Sequence, residues 1–235
     1  MDEDPKGSKT QEEILKVLHE KSNVKQKVHD NTFETFTLLK EILHELTNDI
    51  NERLTIEDRR VKLEYRDRGK YEAEVKIAED ILIFSMHSNI FEFDRDHMVW
   101  KTSYVQKNKL NSYCGIINVY NFLADSFRFN RMEDLGYLIG RIFVNHENHY
   151  FTEGKRQMAF INNFGDQIIN KESLQDVIEK AIMYAIEFDL LVPPYDMVKI
   201  ASVAQMNSKI EDAKLKTGKR LGFRFNSDDV LNENA

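Results

Sequence analysis

The sequence predicts an α+β protein, with an antiparallel sheet of about six to eight strands packed by a long N-terminal helix and by C-terminal helices. Three observations carry this. Phe36, Leu39, Leu43, Leu46 and Ile50 recur at helical spacing. From Val61 onward, apolar and polar residues largely alternate for about a hundred residues, the period of strands. Helical periodicity then returns in Leu174, Val177, Ile178, Ala181, Ile182 and Ala185.

A chain of 235 residues can bury a sizeable core without staples. The expected organisation is a disordered lead-in over 1–9 and one domain over 10–216. Within that domain, 10–54 is helical, 58–164 mainly β and 170–216 helical, and 217–235 is a partly ordered basic-aromatic tail. The formal net charge of −7 argues against a general affinity for nucleic acid, because a polyanion is bound through positive charge that displaces its counterions. Cys114 is the only cysteine, which rules out an internal disulfide and fits a reducing compartment. Met1-Asp2-Glu3-Asp4-Pro5 lacks the basic start and apolar run of a secretory leader. No window approaches the roughly 18 apolar residues that a bilayer span needs. A cytoplasmic protein with no membrane contact is expected.

Along the chain, Thr10 with Glu13 reads as a capping box for a first helix through Ile14, Leu15 and Leu18. Ser22-Asn23 interrupts it, and a second helix runs from about Val24 to Arg53. Its apolar stripe pairs Leu38 with Leu39 and Ile42 with Leu43, wider than a two-stranded coiled-coil seam. It suits a helix lying across a sheet, and the alternative is a homodimer built on its 3-4 spacing. Val61, Leu63 and Tyr65 begin the strands. Asp67-Arg68-Gly69-Lys70 turns into Tyr71–Ile77, one face of which is polar and so faces water. Ile81–Phe84 and Ser112–Phe122 are apolar on both faces and read as interior strands. Ile90–Phe93 and Met98–Thr102 read as a hairpin around Asp94-Arg95-Asp96. Residues 132–144 fit a helix or a strand. Gly136 and Gly140 would each cost a helix about 1 kcal/mol, so a hairpin through Asn145–Asn148 is favoured. Pro193-Pro194 should end the helix after Gly165. A last helix is expected from about Asp196 to Lys216.

The chemistry-bearing residues are few. Ser85 and His87 share one face of an interior strand, and with Trp100 they form a candidate ligand site in a pocket between sheet and helix. Ser85 and His87 are no nucleophile pair, since i and i+2 on a strand stand about 7 Å apart. His146 and His149 flank Glu147 and are weak metal candidates, because zinc needs further ligands that the local sequence does not supply. Cys114 lies in an apolar strand, a core thiol rather than a reactive one. Lys214, Lys216, Lys219, Arg220 and Arg224 interleave with Phe223 and Phe225, a composition that could contact phosphate or an acidic partner. There is no phosphate loop, dinucleotide fingerprint, HExxH or nucleophile elbow. No catalytic residues and no cofactor are assigned. The expected function is an intracellular binding protein that self-associates. The alternatives are a small-ligand sensor or enzyme using His87, and a binder of nucleic acid or an acidic partner through Lys214–Phe225.

Overall fold

The computed structural model describes residues 9–55, 58–132, 134–155, 164–190, 192, 194–204, 206 and 207. The lead-in up to residue 8 and the segment from Lys214 to Phe225 lie outside the described residues.

The chain opens with α1 (Lys9–Val17), a π-helical turn (Leu18–Ser22) and α2 (Asn23–Arg53). Val17, Ser22 and Asn23 all keep right-handed helical dihedrals, so the three pieces form one continuous rod. At 1.5 Å per residue it is about 67 Å long. Ser22-Asn23 is therefore a change of pitch and not a break, and Thr10 lies inside the helix instead of capping it.

A seven-stranded antiparallel sheet follows, in the order β1-β2-β3-β5-β6-β7, with β4 also on β5. Its strands are β1 (Glu64–Asp67), β2 (Glu72–Ile77), β3 (Asp80–Met86), β4 (Phe91–Glu92), β5 (Tyr113–Leu123), β6 (Tyr137–Val144) and β7 (Tyr150–Gly154). Residues 137–144 are thus a strand, as the favoured reading had it. Val61 instead sits in a 3-10 turn. There the Asn51 side chain bonds both the N–H (3.0 Å) and the carbonyl (2.8 Å) of Leu63, acting as a surrogate strand until β1 begins. Gly69 has φ +113° in the β1–β2 turn, the left-handed conformation that glycine takes without steric cost.

Met86 pairs with Ile117 and Phe91 with Cys114, so β4 resumes the line of β3 along β5 after an inserted bulge that contains His87. The expected hairpin over Ile90–Thr102 does not form. Met98–Lys101 is a 3-10 turn, α3 (Ser103–Lys107) a short helix and Lys109–Ser112 another 3-10 turn. His97, Thr102 and Asn108 each accept a backbone N–H two or three residues on, from Val99, Val105 and Leu110. Such local bonds compete directly with ladder pairing.

One face of the sheet carries Leu82, Phe84, Ile117, Val119 and Ile142, all completely buried under Phe36, Leu39 and Leu43 of α2 and Leu174, Ile178 and Ala181 of α5 (Lys171–Ile186). The stripe of α2 packs here against the sheet, with Leu38, Leu46 and Ile50 at its half-buried edge. Asn170 and Ser173 form a reciprocal cap at the start of α5. The helix stops at Ile186, ahead of Pro193-Pro194, where Phe188 turns back onto the Tyr137 and Tyr184 rings. The expected last helix is represented in the described residues by α6 (Tyr195–Val198) and by the helical residues 203, 204, 206 and 207.

The opposite face carries a smaller cluster, with Phe143 and Phe151 stacked at 4.7 Å and roofed by Phe93, Val99, Val105 and Phe164. At its other end α4 (Ala124–Arg128) lays Phe127 on Phe122, at 5.2 Å. No helix among the described residues is long and apolar enough to cross a membrane.

Candidate functional site

Strand register decides which polar side chains share a face. Leu82, Phe84 and Met86 point into the helix-covered core, so Ser85 points to the other face. Core side chains pack between the sheet and α2, and Ser85 lies on the opposite face from the ligand site expected there. His87 is exposed in the bulge after β3, its Nδ1 accepting from the Asn89 N–H at 3.0 Å and its ring edge-on to Phe91. Trp100 lies in a 3-10 turn, donates to the Phe93 carbonyl at 3.2 Å, and has the Arg95 guanidinium over its ring. No described hydrogen bond or ring contact joins Ser85, His87 and Trp100.

Ser85 belongs to a different group. Glu72 registers with Ser85, Ser85 with Asn118, Asn118 with Arg141 and Arg141 with Glu153. These five polar residues form one row across five strands on the open face. Glu153 accepts from Arg141 at 2.6 Å and bonds His97 Nε2 at 2.8 Å. The Arg141 guanidinium also lies 5.4 Å from the Phe143 ring centroid. Charge-assisted bonding and stacking together fix its orientation. Nothing local in the sequence announces this group, because His97 and Glu153 are 56 residues apart.

Glu74, beside this row, is only 3% exposed. Alternation placed it on a wet face, but Arg68 pairs with it, Arg66 approaches to 3.8 Å, and Arg68 itself lies over the Phe127 ring. Phe127 of α4 thus covers the guanidinium that pairs with this carboxylate.

His146 and His149 sit at the β6–β7 turn. Asn145, fully buried, organises it: its Oδ1 accepts the N–H groups of Glu147 and His149, and its carbonyl accepts from Asn31 of α2. Its Nδ2 donates to the Tyr104 hydroxyl, which in turn bonds Glu147. Burial and the neighbouring Glu147 push the Tyr104 hydroxyl well above the usual phenol range. His146 has its Nδ1 buried without a hydrogen-bond partner, and burial holds its pKa below the ordinary histidine value. Among the described residues no three His, Cys, Asp or Glu side chains are placed to hold a metal ion. Cys114 is fully buried and its thiol is pushed up by desolvation.

A second surface needs no register to find. Every residue from 9 to 21 is exposed, although Ile14, Leu15, Val17 and Leu18 lie among them at 53, 57, 53 and 53% exposure. The rod meets the body at Lys21 and Lys25, both over the Tyr113 ring. Before that it projects as an arm whose apolar stripe of Ile14, Leu15, Val17 and Leu18 is exposed.

No protein family, curated protein or solved structure matches this chain.

Proposed function

We propose that this chain is an interaction protein that pairs with a second copy of itself through the helical arm of residues 9–21. The observation that carries this is the apolar stripe of Ile14, Leu15, Val17 and Leu18 on a helix that buries no residue of its own. The arm extends α2 without adding packing of its own, and helices in proteins are held mainly by packing an apolar face. The occupant follows from charge. The arm carries Lys9, Lys16 and Lys21 against Glu12, Glu13 and Glu20, a balance of zero, while the whole chain stands at −7. Two copies of a neutral, mixed-charge arm can come together without the repulsion that two copies of the acidic body would meet. The α2 stripe packs mainly on the sheet, whereas the arm presents four apolar side chains within five residues, each more than half exposed.

Sedimentation equilibrium over a micromolar range tests this. The full chain is expected to show reversible, concentration-dependent association, and Leu15→Asp with Leu18→Asp a monomer with the same thermal midpoint in dilute solution. A full chain that stays monomeric throughout, or a variant that associates as well as the parent, refutes the reading.

A further inference from the structure

The open sheet face holds groups that the pairing of arms does not use, and we infer that Ser85, Asn118 and Arg141 form a binding site for a small carboxylate. The three are consecutive in one register row, on β3, β5 and β6. With strands about 4.8 Å apart, their Cα positions span roughly 10 Å, the length of a small organic acid. All three are half-buried. Among the described residues no side chain bonds the Ser85 hydroxyl or the Asn118 amide, and Arg141 meets Glu153 through one guanidinium nitrogen. Half-exposed donors of this kind bond water and can exchange it for the oxygens of a ligand.

On β3, β5 and β6 the neighbouring rows of this face supply apolar side chains, while Glu74 with Arg68 extends the polar ground on β2. On one side lie Ile83 and Tyr120, on the other Ile116 and Phe143, the second of them sealed by Phe93. A polar strip between apolar rows suits a ligand with a charged head and hydrocarbon flanks.

The chemical class follows from the donors. A guanidinium presents parallel N–H groups that match a carboxylate, and a hydroxyl and an amide can each add one more donor. Glu153 and the Phe143 ring hold that guanidinium in place before any ligand arrives, which lowers the ordering cost of binding. Glu72 and Glu153 stand at the two ends of the row, so negative charge is accepted only in its middle. That arrangement excludes extended polyanions and selects a compact acid.

The full-length chain is titrated calorimetrically with acetate, succinate, benzoate and glutamate, and in parallel with inorganic phosphate. At least one carboxylate is expected to bind saturably and raise the thermal midpoint. Asn118→Leu and Arg141→Gln should each weaken it by about tenfold or more, the loss of a strong hydrogen bond. Asn118→Leu keeps a strand-compatible side chain at a half-exposed position, so it decides the matter if Arg141→Gln folds poorly. Absence of binding by all four acids overturns the site, as does binding that survives in Asn118→Leu. Phosphate binding without any carboxylate response overturns the assignment of ligand class.

Discussion

Two residues test how burial treats a charge. The Glu74 carboxylate is buried with Arg68 against it and Arg66 3.8 Å away. Taking one partner from a buried pair leaves an uncompensated charge, so Arg68→Ala is expected to destabilise the fold by about 3 kcal/mol. Arg68→Ala with Glu74→Gln should recover a good part of that loss, because the remaining buried group is then neutral. Urea unfolding of the two single variants and the double one measures it, and a double variant no better than Arg68→Ala would contradict this account. His146 makes the opposite test, a basic group held neutral. Burial lowers its pKa, Lys27 and His149 add to the lowering, and Glu147 works against it. The unfolded chain then binds the proton more readily than the folded one. Stability is therefore unaffected by His146 above the ordinary histidine pKa of about 6.5, and it falls as pH drops below that value toward the lower folded pKa. His146→Gln should flatten the slope of stability against pH in this window. An unchanged slope would show that His146 is as protonatable in the fold as outside it.

At the scale of elements, the close approach of α2 to β5 turns on Gly115. A Cβ there would overlap the side chain of Thr32, which is itself fully buried and bonded to the Val28 carbonyl at 2.6 Å. Gly115→Ala is therefore expected to push the helix off the sheet and cost about 1–3 kcal/mol, the usual penalty of overpacking. Thr32→Ala in the same chain should relieve part of it, and equal midpoints for Gly115→Ala and the parent would refute the contact. The elements also show where the sequence was readable. Strand and helix periods were plain wherever one face met a core, as in Leu82-Phe84-Met86 or Leu174–Ala185. They misled where local side-chain bonds govern the chain, as at His97, Thr102 and Asn108, where the apolar run forms short turns roofing the sheet. Of the candidate ligand residues only Ser85 joins a polar row. Its companions Asn118 and Arg141 look like ordinary polar positions until pairing between distant strands is known.

For the molecule as a whole, the decisive property is that two apolar clusters share the same strands. Ile142 and Val144 of β6 point into the cluster under α2 and α5, while Phe143 between them points into the cluster roofed by Phe93 and Val105. Strand β7 divides likewise, with Tyr150 on one side and Phe151 on the other. Losing either cluster exposes half of the side chains that hold β6 and β7 in the sheet, so neither can unfold and leave the other intact. Helix α2 is bound to the same region through Asn31 and the Asn145 carbonyl, at 3.0 Å. Cooperative unfolding in a single step is the expected consequence. The sequence supplies the reporters. Trp100, the only tryptophan, packs on the smaller cluster, whereas far-UV circular dichroism is dominated by α2 and α5 on the larger one. Fluorescence and circular dichroism should give coincident urea midpoints and equal slopes, and the arm variants Leu15→Asp and Leu18→Asp should leave both unchanged at dilution. A fluorescence transition at lower urea than the helical one would mean that the roof of residues 93–112 melts separately, and that the open face with its Ser85–Asn118–Arg141 row is bounded by a segment free to move.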